Sequence, residues 1–557
     1  MKLLYCLTLL FLIIMQTSDI AQQQQKAFIN GKVYTVNEKQ PYAEALVTRN
    51  NRIFFAGSTE EAKHFITPET EVIDLKGKLM LPGFIDNHVH FISGGFYKLG
   101  VDLRHAKSTD EFKTMLKDYV STNGGRWVTG GDWDHEAWEK NDLPVKEWID
   151  SFTPNTPVLV SRFDGHMALA NSYALKLAGI TKDTPSPEGG LIVKDKATGE
   201  PTGILKDNAM SLVFAVIPEP GEEEYARALK AALNEAKKNG FTSVQDITYS
   251  NDLKTYQKFE KEGSLTCRIY TRLPIADCDN LIGSGIRYNF GSEKLKIGSL
   301  KAFADGSLGS STALFFEPYA QDSSTTGLAM DYVTDGRLKS WALKSDKAGL
   351  QLSIHAIGDK ANSLILDIFE EVVKANPKWD RRFRIEHAQH VRPEDVKRFK
   401  EMNVIASVQP YHLIDDGCWA EKRIGKERLR NTYPFRSFID NGVKVCFGSD
   451  WSVAPLDPIM GIYAAVTRST LDGKRPEGWI PEEKISVEEA IKCYTINNAY
   501  ASFEEDIKGS IEAGKLADLV VLSEDILSVE PAKIKDVKVD MTIFDGNIIY
   551  KASGTEK

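Results

Sequence analysis

The chain has 557 residues, of which 42% are hydrophobic and 26% are charged, a composition typical of a globular protein with a sizeable core. At roughly 100 to 200 residues per domain, this length allows either several domains or one large barrel with accessory elements. The formal net charge of −9 and the lack of a stripe rich in lysine and arginine exclude nucleic acid as a partner.

The N-terminus has the pattern of a secretory signal peptide. Lys2 precedes an apolar run from Leu3 to Met15, which is followed by small and polar residues. This run is shorter than the roughly 20 residues that a membrane-spanning helix needs, so a stable membrane anchor is not expected. We predict a signal peptide over residues 1–21, cleavage after Ala21 and export to the periplasm or the extracellular space.

Both ends of the remaining chain are rich in β-forming residues. Residues 22–81 contain short strand-like runs separated by Asn-Gly and Asn-Asn turns, and residues 506–557 have the same texture with an Asp-Gly turn. We expect the two segments to pair into one small β-sandwich domain.

The middle of the chain, residues 82–505, alternates β-rich runs with helical segments. The eight β-rich runs cover residues 81–91, 241–247, 266–274, 295–306, 350–359, 383–390, 404–412 and 443–451. This alternation predicts an α/β fold, a (β/α)8 TIM barrel whose parallel strands are buried on both faces. The long interval after the first run predicts an inserted lid or subdomain at about 100–215, on the catalytic face of the barrel.

The first run, LPGFIDNHVHF (81–91), carries two histidines that are two positions apart. Residues i and i+2 of a strand project to the same side, so His88 and His90 point at one spot. Histidine is the commonest nitrogen ligand for zinc-like ions, and the pair therefore predicts half of a metal site. A hydrogen-bonded pair of histidines lining a pocket is the alternative.

Further polar residues stand at the ends of later strands. Lys301 lies on the fourth strand, His355 on the fifth, His387 on the sixth and Asp450 after the eighth. These ends face a common mouth in a barrel, and four of the ten histidines of the chain occur there, which favours a shared site. Glu386 directly precedes His387, so strand alternation predicts that it faces the opposite side.

Several stretches together resemble a known family. LPGFIDNHVH, LKAFADGSLGSSTA, HAIGDKA, RIEHAQ, VQPYH, FGSDW and GSIEAGKLADLVVL resemble the amidohydrolase superfamily, and more narrowly its amidohydrolase-3 (YtcJ-like) branch, which contains formamide deformylases. The resemblance extends over essentially all of the chain after the signal. It implies a distorted TIM barrel, a β-sandwich built from both chain ends, and one or two divalent metal ions, usually zinc, at the mouth.

The resemblance also implies roles for the residues at the strand ends. His88 and His90 would bind the more buried metal, His355 and His387 the more exposed one, and Asp450 would complete the buried site. The implied reaction is hydrolysis of a small amide-type substrate by a metal-activated hydroxide, with Asp450 as the general base that passes the proton to the leaving nitrogen.

Lys301 matches a position that is carboxylated in many members of the family and then bridges two metals. An ammonium group has no lone pair to donate, whereas a carbamate offers two oxygens. An unmodified Lys301 would instead indicate a one-metal site. Both alternatives remain open at the level of the sequence.

Three residues are predicted to contact the substrate. His166, in RFDGHMALANS, is the favoured donor to the developing oxyanion, and His412 in QPYH is the other candidate. A purely structural role in the insert is the alternative for His166. Trp133 is predicted to line an apolar pocket, and the alternative for it is packing in the core of the insert.

The favoured substrate is an N-acyl or N-formyl amide. A cyclic amide or ureide, or a ring carbon that undergoes deamination, would use the same metal chemistry and is the first alternative. A barrel that binds a ligand without metal would leave the six predicted ligands unexplained, and glycoside hydrolysis would need two carboxylates flanking a sugar. A homodimer is a common arrangement in barrels of the kind that the resemblance implies.

Overall fold

The computed structural model describes residues 24–138, 142–163 and 166–553, and the predicted signal peptide lies outside these residues. The chain divides into a barrel unit, Met1–Phe91 with Leu233–Lys557, and an insert unit, Ile92–Ala232.

The barrel unit contains a sheet of parallel strands whose spatial order follows their order in the sequence. Its eight parallel strands among the described residues are Phe84–Val89, Phe241–Ile247, Arg268–Pro274, Leu295–Phe303, Gln351–Ala356, Arg384–His387, Ile405–Val408 and Val445–Phe447. A short strand, Phe290–Gly291, pairs antiparallel with the fourth. The predicted (β/α)8 barrel is confirmed.

Closure of the barrel occurs just beyond the ends of the first and eighth strands. The Asp450 N–H donates to the His88 carbonyl at 2.7 Å, and the His90 N–H donates to the Trp451 carbonyl at 2.7 Å. The Asp86 carboxylate accepts the Ser449 N–H at 3.0 Å. These bonds bring the loop after the last strand against the two histidines of the first.

The barrel interior below the mouth is polar rather than aliphatic. Arg272 donates to the Ser353 hydroxyl at 3.1 Å and to the Gln245 carbonyl at 2.9 Å, and Arg384 donates to the Asn87 side-chain oxygen at 3.0 Å. Both guanidinium groups are fully buried. Buried polar groups must find partners, so this network fixes the relative positions of the strands that carry it.

Helices connect and follow the strands of the barrel unit. They are Ser250–Lys261, Cys278–Gly283, Asp331–Thr334, Arg337–Lys347, Asp359–Ala375, Pro393–Glu401, Pro410–Asp416, Ala420–Ile424, Phe435–Asp440, Pro458–Thr467, Val487–Tyr494 and Ile496–Ala501. Short 3-10 helices occur at Ile275–Asp277, Glu427–Asn431, Pro481–Glu483 and Pro531–Asp536. Asp359–Ala375 buries Ile365, Phe369 and Val372, at the spacing of a single helix face. Within the described ranges, none of the helices combines the length and hydropathy needed to cross a bilayer.

Two further sheets in the barrel unit are built from the chain ends. The four-stranded sheet contains Gln25–Ile29, Ala45–Arg49, Arg52–Gly57 and Glu71–Asp74, and the six-stranded sheet contains Lys32–Tyr34, Tyr42–Ala43, Leu79–Pro82, Leu519–Leu522, Val539–Phe544 and Asn547–Lys551. Helix Thr59–Lys63 packs beside them. Leu81 pairs with Val520 across the two ends of the sequence, and Phe28, Met80 and Ile543 share one core.

The insert unit has its own six-stranded sheet. Its strands, in spatial order, are Gly190–Lys194, Pro201–Asp207, Met167–Ala170, Leu159–Arg162, Gly130–Trp133 and Val101–Asp102. Its helices are Thr109–Asn123, Glu147–Asp150, Ser172–Leu177 and Ser211–Phe214, with 3-10 helices His135–Ala137 and Asn208–Met210.

The insert unit extends further in both directions than the expected interval of 100–215, because it takes in most of helices Phe91–Leu99 and Glu222–Lys238. These helices approach closely at Gly95, where an added Cβ would lie 2.0 Å from the Ala228 carbonyl oxygen. The close packing of the two helices accounts for the wider boundaries.

Candidate metal centre

Three predicted ligands converge at the mouth of the barrel where the first and eighth strands close. One donor atom from each of His88, His90 and Asp450 lies within 4.8 Å of the other two. The Asp450 Oδ1 atom is 3.5 Å from His88 Nε2 and 3.4 Å from His90 Nε2. We call this group the first cluster.

A second cluster shares the same carboxylate. Donor atoms of His387, His412 and Asp450 also lie within 4.8 Å of one another. The His412 Nε2 atom is 3.9 Å from Asp450 Oδ2, and the rings of His387 and His412 are nearly parallel, with centroids 6.3 Å apart. Asp450 therefore presents one oxygen to each cluster.

His355 and Lys301 lie beside these clusters. The His355 ring centroid is 4.5 Å from that of His387, and its Nε2 is 3.0 Å from the Gly306 carbonyl oxygen. A bond from Nε2–H to this carbonyl leaves Nδ1 as the nitrogen with a lone pair. Lys301 is only 4% exposed, and its ammonium nitrogen lies 4.1 Å from the centroid of the Phe303 ring.

Two buried polar atoms at this mouth indicate that a metal ion fits the site. His412 Nε2 and Asp450 Oδ1 make no hydrogen bond within the part of the chain that the structure describes, and each can offer a lone pair. Leaving a buried polar atom unpaired costs about 1 to 3 kcal/mol, so such atoms normally have a ligand or partner. Imidazole nitrogens and a carboxylate oxygen form a donor set suited to zinc-like divalent ions.

The electrostatic environment favours the metal-binding forms of the histidines. Burial lowers the pKa of His88 to about 4 and lowers the pKa of His387 well below its ordinary value, so both rings are neutral at neutral pH. Burial also lowers the pKa of Lys301 to about 7. Burial opposes ionisation of Asp450, but the neighbouring rings of His88 and His90 hold its pKa below the ordinary range and keep it ionised.

Glu386 does not face away from the site, and the expectation from strand alternation was wrong. Its carboxylate accepts a hydrogen bond from His88 Nδ1. His387 and Ala388 have φ angles of 72° and 41°, so the backbone leaves the extended conformation on which alternation depends. Only the presence of an acidic residue in an otherwise buried strand could have suggested this contact, because buried carboxylates need partners.

His387, at the end of the sixth strand, is also oriented by a neighbour. The His387 Nδ1 atom is 2.7 Å from Gln409 Oε1, which is positioned to accept its proton. This bond leaves Nε2 of His387 as the nitrogen with a lone pair.

Trp133 and His166 belong to the insert unit. Trp133 is fully buried, its indole N–H donates to the Val160 carbonyl at 2.9 Å, and its ring packs against Trp138 and Phe112. The structure thus places Trp133 in the core of the insert, where its ring has no exposed surface. The His166 side chain is 76% exposed, with its Nδ1 atom 2.8 Å from an Asp207 carboxylate oxygen. Contact of either residue with substrate stays a prediction.

A cavity of about 470 Å³ in the barrel unit leads to the clusters. Beyond the histidines and Asp450, its walls carry apolar and aromatic side chains, among them Phe303, Leu308 and Trp419, and also the carboxylates of Asp415 and Asp416. The volume is in the range of about 300 to 1,000 Å³ that is usual for small-molecule sites.

Comparison with known proteins gives a consistent result. The model of the amidohydrolase family (Amidohydro_3) matches residues 71–550. Protein LONG AFTER FAR-RED 3 of Arabidopsis thaliana is 40% identical over 89% of this chain and 86% of its own length. YtcJ of Bacillus subtilis, named as an amidohydrolase, is 34% identical over 94% of this chain and 99% of its own. N-substituted formamide deformylase of Arthrobacter pascens is 28% identical over 96% and 100%.

A solved structure agrees with this assignment. A metal-dependent hydrolase from Pyrococcus furiosus superimposes with a TM-score of 0.75 at 30% identity, covering 90% of this chain and all of that one. The barrel with its metal-binding mouth defines a metal-dependent hydrolase that acts on the carbon–nitrogen bonds of small molecules. The chain belongs to the amidohydrolase family, in its amidohydrolase-3 branch.

Proposed function

We propose that the protein is an exported, zinc-dependent hydrolase of N-acyl or N-formyl amides. The observation that supports this proposal most directly is the pair of three-residue clusters that share Asp450 at the end of a cavity of about 470 Å³. The name of the Arthrobacter pascens relative, N-substituted formamide deformylase, supports the substrate class.

The two clusters define which residues would hold metal. His88, His90 and Asp450 would bind one ion, and His387 with Asp450 would bind a second. The family resemblance implies His355 as a further ligand of the second ion, and its Nδ1 atom is available for this. His412 is the alternative ligand, because its donor atom lies within 4.8 Å of those of His387 and Asp450. A bound zinc ion would polarise the scissile carbonyl and lower the pKa of a water molecule from about 15.7 to roughly 7.

Lys301 is suited to carboxylation. Burial lowers the pKa of its amine to about 7, so a large fraction is neutral and able to react with carbon dioxide. A carbamate at this position would supply oxygen ligands for metal, and we propose two ions when Lys301 is carboxylated and one when it is not.

Asp450 is the proposed general base. Its ionised carboxylate can accept a proton from the nucleophilic water and transfer it to the nitrogen of the leaving amine. His166 is the proposed donor to the oxygen of the scissile carbonyl, where negative charge develops, with His412 as the alternative donor.

The walls of the cavity suggest what the substrate carries beyond the amide. Phe303, Leu308, Trp419 and Val453 offer apolar surface to a substituent on the amide nitrogen. Burial of such a substituent would exclude water from the reacting carbonyl.

A substrate panel with controlled metal content tests this function. We expect the zinc-loaded enzyme to hydrolyse N-formyl or N-acetyl amines with an apolar substituent, chelation to remove this activity, and added zinc to restore it. Amine release and metal content per chain would be measured on the same samples. Full activity in correctly folded, metal-free protein, or turnover confined to cyclic amides and ureides, would contradict the proposal.

We also propose that the protein is exported by means of its N-terminal segment. The pattern of Lys2 and the apolar run to Met15 supports a cleaved signal peptide, so mature protein should begin at Gln22. N-terminal sequencing of protein from the periplasm or medium tests this, and an intact Met1 on protein confined to the cytoplasm would contradict it.

We also propose a homodimer. Light scattering gives the mass of the particle in solution, which decides between one chain and two.

A further inference from the structure

The carboxylate of Glu386 lies beneath the first cluster, completely buried in the barrel. Four polar groups surround it. The His88 Nδ1 atom contacts one oxygen, and the Arg272 guanidinium is 2.7 Å from the other. The hydroxyl groups of Ser353 and Ser407 lie at 2.5 Å and 2.6 Å from the carboxylate oxygens.

The direction of the two serine hydrogen bonds is fixed by a second contact to each hydroxyl oxygen. Arg272 donates to the Ser353 oxygen at 3.1 Å, so the Ser353 proton is free to point at Glu386. The Asn87 side-chain amide donates to the Ser407 oxygen in the same way. An ionised carboxylate only accepts hydrogen bonds, which matches a surrounding made entirely of donors.

This arrangement determines which nitrogen of His88 carries the proton. A neutral imidazole has one N–H and one lone pair, and a lone pair on Nδ1 would face the negative Glu386 carboxylate. The proton must therefore be on Nδ1. The lone pair is then on Nε2, which faces the first cluster, 3.5 Å from Asp450 Oδ1.

The Nδ1 atom of the histidine in the second cluster has a different kind of partner. The partner of His387 Nδ1 is the neutral amide oxygen of Gln409, not a carboxylate. A negative charge behind an imidazole raises its basicity as a ligand more than a neutral amide does. Of the two clusters, the first therefore has the more strongly polarised histidine.

We propose that Glu386 is a positioning residue that holds His88 in the Nδ1–H form with Nε2 directed at the metal, and thereby sets the metal affinity of the first cluster. The inference rests on the proposed metal-dependent function and adds a residue that has no contact with the substrate. Five strands of the barrel meet at this carboxylate, through His88, Arg272, Ser353, Ser407 and Glu386 itself.

The substitution Glu386→Gln tests the proposal, because the amide keeps the size of the side chain and removes its charge. Glu504→Gln is the matched control, since Glu504 is also buried and ion-paired, with Lys508 at 2.6 Å and Lys296 at 3.4 Å. Dissociation constants for Co²⁺, used alone as the probe, would be measured by competition with a chelator.

We expect Glu386→Gln to weaken the tightest Co²⁺ site by roughly 10- to 100-fold, the usual effect of removing a partner of a ligating histidine. Glu504→Gln should change it by less than about threefold. Equal affinities in the two variants would overturn the inference. If the wild-type chain itself binds no Co²⁺, the metal-dependent function fails instead, which separates the two outcomes.

A second measurement does not use the Glu386→Gln variant. Long-range nitrogen–proton NMR spectra of the metal-free wild-type protein, labelled with 15N-histidine, distinguish the two neutral tautomers of each ring. The His88 signals are identified by their loss in His88→Gln. We expect the Nδ1–H tautomer for His88, and an Nε2–H tautomer would overturn the proposal.

Discussion

Replacing His88 with alanine is expected to remove hydrolysis and to weaken metal binding at the first cluster by more than about 100-fold. The reason is that the substitution deletes a ligand, whereas loss of a partner behind a ligand already costs roughly 10- to 100-fold. With His88 gone, Asp450 Oδ1 keeps only His90 as a neighbouring ligand in this cluster. Rates of amine release and metal content by mass spectrometry give the two readouts.

His64→Ala is the matched control for this experiment. His64 is exposed at the end of helix Thr59–Lys63, and it is not part of either cluster. The His64→Ala variant should retain both bound metal and hydrolytic activity. Circular dichroism and thermal unfolding should show both variants folded. A folded His88→Ala protein with normal metal content would contradict the assignment of His88 as a ligand.

The clustering of His88 with His90 could be predicted from the sequence because alternation in a buried strand determines which side chains share a face. His88 and His90 follow this rule and lie in one cluster. Glu386 shares the inward face of its strand with Arg384, and His387 is the residue that departs from the rule, because His387 and Ala388 adopt left-handed backbone conformations that a hydrophobic pattern does not encode.

How the ligands divide into clusters depends on distances between residues far apart in the sequence. His412 is predicted from the sequence as a substrate contact, yet its Nε2 lies 3.9 Å from Asp450 Oδ2 and within reach of His387. His355 is predicted as a ligand, yet one of its nitrogens bonds to the Gly306 carbonyl. The spacing of polar residues along the sequence predicts which of them lie at strand ends, but it does not predict how the rings of His355 and His412 are oriented.

The internal structure of the insert was also beyond the reach of the sequence pattern. The long interval after the first strand indicates an insertion, but Gly130–Trp133 is short and begins with two glycines, and Pro201–Asp207 begins with proline and contains Gly203. Such segments lack the regular alternation of hydrophobic and polar residues by which a strand is predicted. The burial of Trp133 follows from packing between these strands and the helix Thr109–Asn123.

Asp450→Asn is expected to lower kcat by about 100- to 10,000-fold, the usual contribution of a general acid–base residue. Asparagine keeps one oxygen that can face a cluster, but it cannot accept a proton from water or deliver one to the leaving nitrogen. The loss should persist when the variant is assayed at saturating zinc. The kcat for an N-formyl amine would be measured together with bound zinc per chain.

Saturating zinc separates the two roles of Asp450, since it serves both clusters as well as the proton transfer. If added zinc restores more than about a tenth of the wild-type kcat, Asp450 acts mainly as a ligand and the general-base role is wrong. Asp440→Asn provides the matched control, because this carboxylate is exposed on helix Phe435–Asp440 and paired with Arg436 at 2.8 Å. Its kcat should equal that of the wild type. A persistent loss confined to Asp450→Asn would therefore assign the proton transfer to the carboxylate that both clusters share.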